Sequence, residues 1–230
     1  MNMSSSTVYG GSVTSSAAER NRVLRNTYWL LALSMVPTVI GAWLGVATGL
    51  AKAMTPGISL MVFLGGALGF MFAIEKTKNS AAGVPVLLGF TFFMGVMLSR
   101  LVGTVLGLGN GASLVMTAFA GTGAIFLGMA SMSTIIKRDL SAMGKWLFIG
   151  MIMLLVAGIA NFFIQSSALM ITLSVLAIGI FSAFILHDLK RVQDGLETNY
   201  ITATLGVYLS IYNVFQSLLM LLGIFGGRDE

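Results

Sequence analysis

The stretch FSAFILHDLKRVQDGLETNYITATLGVYLSIYNVFQSLLMLLGIF, residues 181–225, joins an apolar span, a charged loop and a second span with polar residues inside it. Measured from Ser210 at about 100° per residue, Thr202, Gly206, Asn213, Gln216 and Ser217 share one half of a helix, with Tyr212 at its border. Val207, Ile211, Val214, Leu218, Leu221 and Leu222 occupy the other half. In a water-soluble protein this pattern describes a surface helix. The spans around it are too apolar and too many for a soluble core, so the polar half is expected to face other helices or water inside a membrane protein.

Composition leads to the same class. The 230 residues are 57% hydrophobic and 9% charged, with mean hydropathy +0.93, against about 25% charged in ordinary soluble domains. With no cysteine and one histidine, thiolate metal sites, cysteine nucleophiles and multi-histidine zinc sites are excluded, and no metal or cofactor is expected. The net charge of +5 does not signal nucleic acid, because the basic residues sit in short loops rather than in one patch interleaved with aromatics.

Residues 1–26 are rich in Ser, Gly and Thr and end in Arg20, Arg22 and Arg25. They read as a disordered cytoplasmic tail. A cleaved signal peptide is the competing reading, but the apolar run 27–51 exceeds the roughly 7 to 15 residues of a signal core. Six further runs meet the criterion of about 20 predominantly apolar residues: 56–74, 84–108, 112–136, 145–165, 168–187 and 201–225. The expectation is one all-α polytopic membrane domain, residues 27–225, of seven transmembrane helices with short connections, followed by a short tail, 226–230.

Lys and Arg fall ten to two on alternate sides of these spans. Arg20, Arg22, Arg25, Lys76, Lys78, Lys137, Arg138, Lys145, Lys190 and Arg191 lie on one side, Lys52 and Arg228 on the other. By the positive-inside rule the N-terminus is cytoplasmic and the C-terminus lies outside. Glycines four apart, at Gly41/Gly45/Gly49, Gly65/Gly69 and Gly103/Gly107, fit close helix packing in lipid. The run Gly107-Leu-Gly109-Asn-Gly111 has neither a preceding strand nor a following Lys and reads as a turn, not a nucleotide loop.

Few side chains offer chemistry. Arg100 is the one charge clearly inside a span, roughly 12 Å from its end at 1.5 Å per residue. It either snorkels to the outer headgroups or binds carbonyls and side chains such as Gln165 in the interior. Glu75, beside Lys76, reads as a solvated helix end. Asp188 closes eighteen nearly uninterrupted apolar residues and faces the loop from which the polar last span departs. Proteolysis within the membrane is disfavoured: His187 has no Ser in a nucleophile motif, and no two aspartates are central to the spans.

Three blocks carry a resemblance. Val23-Leu-Arg-Asn-Thr-Tyr28, Lys137-Arg-Asp-Leu-Ser-Ala-Met-Gly144, and Glu197-Thr-Asn-Tyr-Ile201 leading into Tyr208-Leu-Ser-Ile-Tyr-Asn213 resemble the Bax inhibitor-1 family, and within it a bacterial branch. The resemblance implies an inner-membrane fold in which the final helix is central and wrapped by the other six. It also implies one of two activities. Members of this branch are associated with restraining the membrane-bound ATP-dependent protease FtsH, which would make FtsH the partner besides the lipid bilayer. Other members behave as pH-sensitive calcium leaks using a pair of aspartates on the last two helices. Asp188 matches the first aspartate, and Ser210 stands where the second would be, so the repulsion of a close carboxylate pair is missing. An ion path would run past Asp188, Ser210, Asn213 and Gln216. A third reading gives the polar last helix a packing role alone.

Overall fold

The computed structural model describes residues 16–226, and these residues form eight helical elements. They are α1 (Ala17–Thr48), the short α2 (Leu50–Ala53), α3 (Pro56–Thr77), α4 (Gly83–Leu106), α5 (Gly111–Ile135), α6 (Ser141–Ile164), α7 (Ser167–Gln193) and α8 (Tyr200–Gly226). All but α2 are long and apolar enough to cross a membrane, and the protein is a seven-span helical membrane protein. In Gly107-Leu-Gly109-Asn-Gly111, residues 107–110 are indeed the turn joining α4 to α5, and Gly111 opens α5.

Several boundaries differ from the sequence reading. The helix α1 begins at Ala17, so residues 17–26 are helix rather than tail. Ser16 caps it, its hydroxyl accepting from the Glu19 N–H at 3.2 Å, and Ser16-x-x-Glu19 is a capping-box spacing that the sequence already displayed. The rest of the expected tail, residues 1–15, lies outside the described residues, as do residues 227–230 of the expected C-terminal tail. The first span stops at Gly49, whose φ of 65° ends α1 in a left-handed cap. The sixth span continues to Gln193, which places Asp188 inside a helix, where hydropathy alone had put it at the end.

The last helix is central, as expected. It packs against α7, α5, α1, α4 and α3. The expectation of six wrapping helices is corrected to five, because α6 packs on α7 and buries none of its own residues. A central position also explains why both halves of α8 are covered: Ser210 and Ser217 are buried, and so are Val207, Tyr208, Val214 and Leu219. The polar half faces protein, but so does the apolar half.

Close approach between α1 and α4 fixes the most extensive helix pair. A Cβ on Gly41 would collide with the Phe92 carbonyl oxygen, one on Gly45 with Ser99 Oγ, and one on Gly95 with the Thr38 carbonyl oxygen. These backbones can touch only because the glycines carry no side chain. Tyr208 of α8 then reaches between the two helices. Its hydroxyl lies 2.9 Å from Thr38 Oγ1 and 3.4 Å from the Thr91 carbonyl oxygen, while the Tyr212 hydroxyl lies 3.4 Å from that of Met94. Around these polar anchors pack Ile74, Leu87, Phe90, Ile185, Leu189 and Ile201, all fully buried. The Gly65/Gly69 pair differs: nothing lies within 4 Å of a Cβ built at either position, and Gly66 is the close contact instead, against the Phe93 ring.

Candidate functional site

Alternating helix directions gather the Lys- and Arg-rich connections at one end of the bundle, where several hydrogen bonds tie the elements together. Arg20 of α1 donates to the Gln193 carbonyl at 3.5 Å, and the Gln193 side-chain amide donates to Ser133 Oγ of α5 at 2.8 Å. Asn199, before α8, does two jobs. Its Oδ1 accepts from the N–H groups of Ile201 and Thr202 at 2.9 and 3.1 Å, capping α8. Its Nδ2 donates to the Lys78 carbonyl and to Asn79 Oδ1 at 3.1 and 2.9 Å, which ties the cap to the α3–α4 turn.

Asp188 sits within this end, at the junction of α6, α7 and α8. Its Oδ1 is 3.1 Å from Nδ1 of His187, and the two side chains are 18% and 8% exposed. Two glycines make room for the pair. A Cβ on Gly206 of α8 would stand 2.8 Å from Asp188 Oδ2, and one on Gly144 of α6 would stand 2.6 Å from His187 Nε2. Deprotonated, Asp188 only accepts hydrogen bonds, so the imidazole Nδ1–H donates to it. The carboxylate therefore meets α8 at a place where α8 presents backbone rather than side chain.

Of the other expected site residues, Ser210 belongs to this junction. It is buried one turn beyond Gly206, and its hydroxyl donates to the Gly206 carbonyl at 3.0 Å. Asn213 donates from Nδ2 to the Leu209 carbonyl of its own helix at 2.8 Å. Gln216 is half-buried. Both lie further along α8, away from Asp188. Among the described residues no three of His, Cys, Asp or Glu converge as a metal-ligating group.

Arg100 has Ser59 as its side-chain partner rather than Gln165. It is half-buried, and its Nη1 lies 3.3 Å from Ser59 Oγ in the first turn of α3. Gln165 ends α6, on the far side of α7. The long stem thus climbs towards the end of the bundle opposite the basic one, where a hydroxyl receives it. Glu75 pairs with Lys78 at 2.5 Å and is 66% exposed, a solvated end as read. Lys76 instead lies over the Phe72 ring, 4.5 Å from its centroid. In the α5–α6 loop, Asp139 accepts from the Ser141 hydroxyl at 2.6 Å and its N–H at 2.8 Å. Those two bonds hold its carboxyl below the ordinary range.

Sequence reasoning missed His187 as the partner of Asp188, and missed Gly144 and Gly206 as the cradle. Gly144 ends one of the blocks quoted above and Gly206 lies on the polar half of α8. Nothing in one dimension showed that they flank the same pair.

Comparison with known proteins matches residues 20–227 to the family described as inhibitor of apoptosis-promoting Bax1. The chain is 37% identical over 209 residues to the Escherichia coli K12 protein named Modulator of FtsH protease YccA, covering 91% of this chain and 92% of that one. It is also 37% identical over 212 residues to an uncharacterized membrane protein of Vibrio cholerae, covering 92% and 93%. A protein of Neisseria meningitidis serogroup A is 35% identical over 219 residues, covering 94% and 96%.

Proposed function

The chain belongs to the Bax inhibitor-1 family, and on that premise we propose that it modulates the membrane-bound ATP-dependent protease FtsH by binding it in the inner membrane. The observation behind this reading is the similarity to the Escherichia coli modulator, which spans nearly the whole length of both proteins. Binding, rather than chemistry on a substrate, is the role we infer. We further propose that the basic end faces the cytoplasm, because ten of the twelve Lys and Arg residues outside the spans cluster there.

The test is purification of the tagged full chain from membranes that contain intact protease. FtsH in the eluate, together with a longer lifetime of an FtsH substrate on raising the level of this chain, supports the proposal. Absence of both overturns it. A periplasm-active reporter fused after Glu230 tests the orientation, and activity is expected.

The calcium-leak alternative has less behind it. Asp188 does line the α7–α8 interface, but Ser210 stands where the resemblance puts the second acid, and no three of His, Cys, Asp or Glu converge among the described residues. Calcium flux into liposomes above that of empty vesicles, altered by Asp188→Asn, would favour the leak.

A further inference from the structure

We propose that the groove beside Trp29 is a binding site for one anionic phospholipid. The groove has a volume of about 570 Å³ and is lined by Asn26, Trp29, Leu30, Ala32 and Leu33 of α1 and Tyr200 of α8. It runs from Asn26 to Leu33, about 10 Å along the helix axis. It therefore starts at the basic end of the bundle and descends along the apolar surface, where hydrocarbon is the surrounding medium.

Three facts select the occupant. First, the deep part is apolar: Leu30 is buried at its floor, while Leu33 and Trp29 stand at its wall, 48% and 73% exposed. An acyl chain matches that surface. Second, its upper part presents the Asn26 amide, the Trp29 indole N–H and the Tyr200 hydroxyl, none of which has a hydrogen-bond partner among the described residues. Trp and Tyr at this depth belong to the headgroup layer, where phosphate and ester oxygens accept. Third, Arg22 and Arg25 are exposed and without an ion-pair partner among the described residues. Each stands one helical turn before a groove residue on the same face, Arg22 before Asn26 and Arg25 before Trp29. Arg20, by contrast, is engaged with Gln193. Two free guanidinium groups above unpaired donors and an apolar trough fit a lipid whose head is anionic. A zwitterionic head offers a phosphate whose charge its own amine balances, so it would leave net positive charge at the two arginines.

Trp29 supplies the assay. The chain has three tryptophans, so W43F/W146F leaves Trp29 as the sole tryptophan fluorophore. The full-length variant is reconstituted into bilayers in which brominated phosphatidylglycerol or brominated phosphatidylcholine is the quencher. Trp29 is expected to be quenched more strongly by the anionic lipid at equal mole fraction. Each arginine should account for about fivefold in the preference, corresponding to about 1 kcal/mol per basic group near a charged membrane surface. R22Q/R25Q should abolish the preference while quenching by brominated phosphatidylcholine persists, which shows that the bundle is intact. K137Q/R138Q, with the same loss of charge elsewhere at that end, should retain it. Equal quenching by the two lipids, or an equal loss of preference in both double variants, overturns the site.

Discussion

Replacing Gly95 by Ala tests whether α1 and α4 are held by backbone contact. In the structure a Cβ at Gly95 meets the Thr38 carbonyl oxygen, with the carbonyl carbon at 2.8 Å and Ala42 N at 3.0 Å. Non-bonded carbon atoms rest at about 3.5–4.0 Å, so the helices must separate by about 1 Å. None of the obstructing atoms is the end of a flexible side chain. Separation would loosen the approaches at Gly41 and Gly45 and lengthen the 2.9 Å contact of Thr38 with Tyr208. Overpacking of this kind costs about 1–3 kcal/mol, against a gain of about 1 kcal/mol from placing Ala for Gly in a helix. Gly65→Ala has the same propensity gain and no collision. Gly95→Ala should therefore be about 1–3 kcal/mol less stable than Gly65→Ala, as read from unfolding in mixed micelles with increasing denaturing detergent. If the two variants are equally stable, or Gly95→Ala is the more stable, the glycine contacts do not hold the pair together.

Other substitutions probe the remaining elements. Gln165 sits at φ 53°, a left-handed conformation that costs a side-chain-bearing residue about 1–2 kcal/mol; Gln165→Gly should raise the unfolding midpoint and Gln165→Val should lower it. Asn199→Ala should cost about 1–2 kcal/mol through the lost cap on α8, with faster hydrogen exchange at Ile201 and Thr202, while Asn199→Asp keeps the acceptor and should protect those amides. Arg100→Leu should destabilise by about 1 kcal/mol through the lost contact with Ser59, whereas Arg100→Lys, which also reaches upward, should cost less; a Leu variant as stable as the parent would show that the contact contributes nothing.

Much of the fold was legible in one dimension for a reason specific to bilayers. A spanning helix needs about 20 apolar residues and few charges, so hydropathy counts spans directly, and the alternation of Lys and Arg orders their ends. The polar residues of α8 pointed its polar half at other helices or water, since amides and hydroxyls are costly against lipid, while its central place came with the family resemblance. The matches at Asp188 and Ser210 came with the family blocks rather than from periodicity.

What remained was decided by pairing in three dimensions. Lipid is as apolar as a neighbouring helix, so sequence could not separate Gly41 and Gly45, which meet α4, from Gly65 and Gly69, which meet nothing. Nor could it show that α6 lies outside α7, or that Arg100 ends on Ser59. His187 shows the same limit most clearly. Next to a charged loop it looked like a helix end at the interface. Only the longer α7, with Gly144 of α6 on one side and Gly206 of α8 on the other, makes it a buried partner of Asp188. Two residues without side chains can admit a histidine–carboxylate pair only where three helices happen to meet, and that meeting point is a property of the tertiary structure.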